Sequence, residues 1–380
     1  MRGTCNHECV RRRERCIDGR GSSALTDFTI LPQLLANGIV IGSIFALAGI
    51  GLSLVYGILN LANFAHGDFV TLGAFLAFLF AVLLSGDLEA WGVATGAALL
   101  VFPLVDLFLL RLLLWGERLL LISFGAALLA VALVLKFAGH GGTGTTELVL
   151  AEATLLSIVF SAGVFLAFER VVWRTLRKKK TTILSLVIVS IGVSLVVRNL
   201  IQIGFGTGNR SFDRPTAVSP SVFGVQISDA QQFTLVAAIL LILGTHLFLT
   251  QTRTGKAMRA MADNLELARV SGIDVDREVA HVWVLTAILT ATSGVLYALV
   301  ANNVMNVNMG VTLILPLFAA VILGGIGSPY GAMAGGFILG VAMKTATLWI
   351  GSKYEVAAAF IVLIAMLLVR PQGLFGVKAG

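Results

Sequence analysis

Few residues in this chain could do chemistry, and the densest group of them lies in Gly57-Ile58-Leu59-Asn60-Leu61-Ala62-Asn63-Phe64-Ala65-His66-Gly67-Asp68. Asn60 and Asn63 are three apart, which places them on one face if the stretch is helical. Glycines at both ends let a helix break there and expose backbone groups to a polar solute. Hydrogen bonding to a solute is the chemistry on offer, with Asn60, Asn63, His66 and Gly67 as the candidate pathway residues. The competing reading is an ordinary cytoplasmic turn in which the asparagines and His66 are satisfied caps. His66 alone reads better as a structural hydrogen-bond partner than as a proton relay.

A second group is mechanical. From Gly255 to Ser271 an amphipathic helix is expected: Met258, Met261, Leu265 and Ala268 recur on one side, Lys256, Arg259, Asp263, Glu266 and Arg269 on the other, and Gly272 supplies a C-terminal stop. Its charges nearly cancel, whereas a helix lying on anionic lipid wants a strongly basic face. A methionine-lined stripe with a balanced polar face suits insertion into a groove of a protein partner. The alternative is a helix packed on its own membrane domain.

Other chemistries find no foothold. Cys5, Cys9 and Cys16 lie in an Arg-rich tail, and Cys5, His7 and Cys9 match no metal-ligand spacing and lack a fourth partner. No paired nucleophile and base, paired carboxylates or metal cluster lies within the apolar body, so neither a catalytic residue nor a cofactor is expected. Asp106, Lys136, Arg198 and Lys344 are the sparse interior charges, with Lys136 and Arg198 near predicted helix ends where they could snorkel to the interface. A proton- or sodium-coupled carrier needs an intramembrane carboxylate, and Asp106 in a bland helix is a weak candidate. Energy is therefore expected from outside the chain, yet Gly255-Lys256 is followed by Ala257 and lacks the upstream glycine of a phosphate loop.

The elements that must position these residues are membrane helices. Of the 380 residues, 57% are hydrophobic and 12% charged, against roughly 25% charged in soluble domains, and mean hydropathy is +0.94. Soluble enzymes and nucleic-acid binders are excluded. Apolar runs of about 20 residues fit helices; barrel strands would alternate over about 10. The expected fold is all-α, a polytopic bundle of 8–11 crossings with a broken helix near 57–68. Candidate crossings are 31–56, 68–85, 91–110, 119–137, 151–169, 181–203, 232–250, 280–301, 311–327, 331–350 and 354–370. One transmembrane body over 25–376, with a basic tail at 1–24 and a short end at 377–380, is the expected organisation. The segments within 91–137 are read as peripheral packing.

Basic residues set the orientation. Arg170, Arg174, Arg177 and Lys178 to Lys180 should be cytoplasmic, and so should the stretch from Arg253 to Arg277 two crossings later. Asp87, Glu89 and 204–231 then fall outside. An odd number of preceding crossings puts the Arg-rich N-terminus outside as well, so either one early segment does not cross or the tail is an upstream extension, the reading favoured here. Gly331, Gly335, Gly336 and Gly340 form a small-residue face along which helices approach closely. Asn302, Asn303, Asn306 and Asn308 fall in an outer loop that either docks a soluble partner or is merely solvated.

Motifs along most of 34–376 resemble the permeases of branched-chain amino-acid ABC importers. They include Gly51-Leu52-Ser53-Leu54-Val55-Tyr56-Gly57, Asn60-Leu61-Ala62-Asn63-Phe64-Ala65-His66-Gly67, Glu169-Arg170, Ser190-Ile191-Gly192 and Arg198-Asn199. Arg253-Thr254-Gly255-Lys256-Ala257-Met258-Arg259-Ala260, Ser271-Gly272-Ile273, Gly324-Gly325-Ile326-Gly327-Ser328 and Arg370-Pro371-Gln372-Gly373-Leu374-Phe375-Gly376 complete the set. The resemblance implies a multi-pass permease of the cytoplasmic membrane, embedded in membrane lipid, with no ATPase site of its own. It implies pairing with a second homologous permease subunit, two ATP-binding subunits on the cytoplasmic side and an external solute-binding protein. It also implies that 251–278, with Gly255, Met258, Met261, Leu265 and Gly272, is the coupling region. Relatives that move urea or short amides keep the substrate open, and an ion-coupled carrier is the remaining alternative; no nucleic-acid partner is expected. The basic tail and the segments within 91–137 depart from the shorter family members. A cysteine placed at Lys179 is expected to escape an impermeant thiol reagent in intact cells while one in 204–231 is labelled; outside labelling at Lys179 would overturn this topology.

Overall fold

The computed structural model describes residues 30–85, 147–179, 181–212, 225–301, 304–370 and 372–375. The expectations for 1–24, 91–110, 119–137, Asp87, Glu89, Asp106, Lys136, Lys180, Asn302, Asn303 and 377–380 lie outside these residues. Among the described residues eight helices are long and apolar enough to cross a membrane, and Met309–Gly324 is a shorter apolar helix.

The chain begins with α1 (Leu31–Leu59), which is buried over most of its length and ends in a left-handed Asn60. A helix apolar on every side belongs in the middle of a bundle. Then follow α2 (His66–Ser85) and α3 (Glu147–Phe168), the latter running through a π-helical turn at Glu169–Trp173 into α4 (Arg174–Lys178). Next come α5 (Ile183–Phe205), α6 (Asp229–Gln251), α7 (Arg253–Asp263), α8 (Leu265–Val270) and α9 (Val275–Val300). The last helices are α10 (Met309–Gly324), α11 (Pro329–Ile350) and α12 (Glu355–Val369). Outward faces of α5, α6 and α12 carry exposed Leu184, Ile188, Leu240, Leu243, Ile361 and Leu368, as lipid-facing helices do.

Small residues let the central helices touch backbone to backbone. A Cβ on Gly38 would lie 2.7 Å from Val341 Cα, and one on Gly336 would lie 2.5 Å from Ala46 N. Gly42 and Gly340 face each other in the same seam, so α1 and α11 interlock along their lengths. The expected small-residue face of α11 serves two neighbours: Gly336 and Gly340 meet α1, while Gly331 and Gly335 meet α10. Helix α2 crosses α9 in the same way, with a Cβ on Gly73 2.5 Å from Ala291 Cα.

Contacts at the two ends orient the bundle. Gln33 at the start of α1 exchanges hydrogen bonds with the Gln226 backbone, at 2.9 and 2.8 Å, so that end of α1 lies with the 204–231 segment. There β1 (Arg210–Ser211) pairs antiparallel with β2 (Val304–Met305), Arg210 opposite Met305. At the opposite end, Arg174 of α4 bonds Asp276 of α9 at 2.7 Å, and the indoles of Trp173 and Trp283 stack 6.4 Å apart.

In the 311–327 candidate the helix is short. Helix α10 has 16 residues, about 24 Å, short of the ~20 residues a span requires, because it starts inside the bundle where Gly310 meets Gly67. Introducing Ala at Gly336 is expected to cost ~1–3 kcal/mol through overpacking, read as a lower detergent-state unfolding temperature. Ala at Gly163, whose Cβ would meet nothing within 4 Å, should be neutral or stabilising by up to ~1 kcal/mol.

Candidate functional site

The break in α1 occurs at Asn60, whose φ of 50° and ψ of 35° turn the chain out of the helix while its N–H still bonds Tyr56 O at 2.8 Å. Residues 60–65 are not helical, yet Leu61, Asn63 and Ala65 are buried. The connection climbs back into the bundle: His66 Nε2 lies 3.0 Å from Ala48 O, eleven residues before the end of α1, or about 16 Å along it. Helix α2 therefore starts near mid-membrane depth. It runs toward the Gln33 end, since Phe78 packs on Phe212 beside β1, whereas α10 runs the other way, toward Gly57 and Gly327. Their first turns cross where a Cβ on Gly67 would lie 2.9 Å from Ile314 Cβ and one on Gly310 would lie 2.7 Å from Asp68 N.

Non-helical backbone survives at this depth only if the protein satisfies it. Asn63 does so locally, its Oδ1 accepting from Ala65 N at 3.2 Å and its backbone O from His66 N at 3.1 Å. Ser190 of α5 does so from outside: its Oγ accepts from Phe64 N at 3.1 Å and donates to Val187 O at 2.7 Å, with Ala62 O at 3.3 Å. One turn along α5, Ser194 donates to the Asp68 carboxylate, and one turn further Arg198 grips both oxygens of Asp68, through Nε and Nη2, each at 3.0 Å. Ser190, Ser194 and Arg198 thus form one polar stripe that holds 62–68. On the opposite side Thr290 Oγ1 of α9 is 3.5 Å from His66 Nε2, and Thr286 donates to Gly51 O at 3.3 Å.

The four candidate pathway residues are neighbours in sequence but not equivalent in place. Asn60 is exposed and Asn63 fully buried, and both lie in the non-helical segment, so the pair does not share a helical face. His66 is fully buried, as a structural partner would be, but its Nδ1 and the Asn63 Nδ2 have no hydrogen-bond partner. Gly57 and Gly67 do not make the break. They are the close-approach points against Gly327 and Gly310. Arg198 does not snorkel; it turns inward to Asp68. The Asp68–Arg198 partnership is hidden in the sequence because its halves lie 130 positions apart, and the available signal is Ser190, Ser194 and Arg198 at four-residue intervals in a mostly apolar helix.

The amphipathic stretch is two helices. Asn264, with φ −158° and ψ 105°, interrupts it and caps α8 through Oδ1 to Leu267 N at 2.9 Å. The side expected to meet a partner faces inward: Met258 and Met261 are each 1% exposed, Ala268 is buried and Leu265 packs on the same core. Gly255 is fixed by contact, since a Cβ there would lie 2.6 Å from Leu249 Cα, while Gly272 does end the segment with φ +87°. The apolar side chains left outside are Leu267, 61% exposed, and Val270, 80% exposed.

A family model described as the permease component of the branched-chain amino acid transport system matches residues 34–369. The high-affinity branched-chain amino acid transport system permease protein LivH of Salmonella typhimurium is 28% identical over 356 residues, 92% of this chain and 96% of the relative. LivH of Escherichia coli K12 is 29% identical over 354 residues, with 92% and 96% covered. BraD of Pseudomonas aeruginosa, with the same description, is 29% identical over 351 residues, covering 90% and 95%. No solved structure matches the chain. Replacing Ser190 by Ala leaves the buried Phe64 N–H without its partner and is expected to destabilise the chain by ~1–3 kcal/mol; an unchanged unfolding temperature would show that the hydroxyl is not needed there.

Proposed function

The chain belongs to the branched-chain amino acid transport permease family, and from that premise we propose that it moves branched-chain or related amino acids inward through the region of Asn60, Asn63, His66 and Gly67. It is a multi-pass membrane permease of the ABC importer type and works with other subunits. The proposed assembly is a second, homologous permease, two ATP-binding subunits below and an external solute-binding protein above. The observation that carries the pathway reading is the non-helical segment 60–65, held at mid-depth by a polar face of α5 while Asn63 Nδ2 and His66 Nδ1 remain unpartnered. Interrupted helices with polar groups at the midplane are how solute sites are built in membranes. Uptake of labelled leucine, urea and a short amide by a permease-deletion strain expressing this chain tests it: leucine uptake is expected, and uptake confined to urea or the amide would replace the substrate.

The two-helix segment α7–α8 is proposed to pass ATPase motion to the bundle. Gly255, Met258, Met261 and Leu265 anchor it to the membrane body, and Leu267 and Val270 form the outer contact. Gly272 holds the angle at which α8 returns to α9. Single substitutions separate these roles. Asp at Val270 is expected to abolish co-purification of the ATP-binding subunits while leaving the permease folded. Asp at Met261 buries an unpaired charge at a cost of several kcal/mol and should instead lower folded yield. Val at Gly272 forces a β-branched residue into a left-handed conformation, a strain of ~1–3 kcal/mol, and should leave assembly intact but transport poor. Gln at Lys256, an exposed charge, should change little. Wild-type assembly and coupling of the Val270→Asp protein would move the contact elsewhere.

A further inference from the structure

The geometry points to the Asp68–Arg198 pair as the subsite that takes the two charged ends of a zwitterionic solute, its carboxylate on Arg198 and its ammonium on Asp68. This rests on the transport reading above and names the chemistry that selects the solute. An ion pair between membrane-spanning helices is an expensive strut, since desolvating both groups cancels most of their attraction. Ionisable groups at such depth mark solute pathways more often than they merely brace helices. This pair adjoins the proposed pathway residues: Asp68 follows Gly67 in the first turn of α2, and Arg198 reaches it from the stripe that holds the interrupted segment.

An amino acid entering an apolar bundle loses the hydration of both its charges together. Exchange with a resident acid–base pair meets that loss, because one ion pair becomes two and no charge is left alone. The guanidinium fork, now bidentate on the Asp68 carboxylate, presents the same geometry to a solute carboxylate. The two partners are unequally covered: the Arg198 side chain is 20% exposed and that of Asp68 is 2% exposed. In this proposal Arg198, the less covered half, meets the solute first, and Ser194, which donates to Asp68 and lies 3.2 Å from Arg198 Nη2, holds the acid while the arginine changes partners. An uncharged urea or amide has no pair of charges to exchange, so this subsite favours amino acids over the amide alternative.

The test uses the reconstituted complex with its ATP-binding subunits and wild-type solute-binding protein, and reads ATP-driven leucine uptake beside ATP hydrolysis and subunit co-purification. The neutral double variant Asp68→Asn with Arg198→Gln is expected to assemble and hydrolyse ATP but to lose leucine uptake by about ten-fold or more. The reversed pair, Asp68→Arg with Arg198→Asp, rebuilds a strut of opposite polarity and should not restore uptake. Arg198→Lys keeps the buried charge, and so the fold, but loses the fork. At saturating loaded binding protein it should lower turnover several-fold with hydrolysis unchanged. Wild-type uptake by the neutral double or by Arg198→Lys, or rescue by the reversed pair, would overturn the assignment and leave the pair a brace. If those variants matched a leucine-transporting wild type, this assignment alone would fall. If the wild-type complex moved urea or the amide and no leucine, the transport reading would fall with it.

Discussion

Backbone N–H and C=O groups inside a membrane have no water to turn to, and the arrangement of this bundle follows from six residues that break that rule. Residues 60–65 leave the helix, and Leu61, Asn63 and Ala65 among them are buried, so neighbouring helices must supply what the helix no longer does. Ser190 accepts from the Phe64 N–H, Asn63 supplies both a backbone and a side-chain acceptor, and Asp68 is drawn to the Ser194–Arg198 face. Those partners have to lie within hydrogen-bond reach, which brings α5, α2 and α9 close around the break. The glycines at 67, 73, 294 and 310 are what permit it, because each sits where another backbone passes.

The same economy explains the two-helix segment α7–α8. A helix lying beside a membrane bundle transmits force only if one face is fixed to the bundle and another is free. In α7–α8 the fixed face is methionine, buried as thoroughly as any residue in the core, and the free face ends in two apolar side chains on a single turn. Asn264 separates the two helices and caps the second, so the angle between them is set by one residue. Arg174 and Trp173 of the neighbouring arm meet α9 just beyond, at Asp276 and Trp283, so the base of α9 is held from two sides.

Much of this is legible in the sequence. Apolar runs give the eight long crossings among the described residues because a bilayer imposes a length, the glycine spacing in 331–340 announces close packing, and Gly272 signals a stop because a left-handed turn needs one. What stayed hidden was direction. Amphipathicity says that Met258 and Met261 share an apolar face but not whether that face covers the chain's own core or a partner, and the two cases have identical patterns. Asn60 and Asn63 have helical spacing, but the backbone turns between them. Arg198 looked like a residue that reaches for the interface because its acid lies far back in the chain, and pairing across that distance leaves no local trace.

The seam between α1 and α11 has a consequence for how the protein is made. Gly38 and Gly42 are built early in the chain, and the surfaces they fit, around Gly336 and Val341, are built late. At ribosomal speeds of 5–20 residues per second, the gap of about 300 residues takes roughly 15–60 s. For that interval the Gly38–Gly42 face of α1 has no α11 to pack against. A helix made early is thus among the last to meet its partner surface, and the α1–α11 seam closes only when the end of the chain arrives.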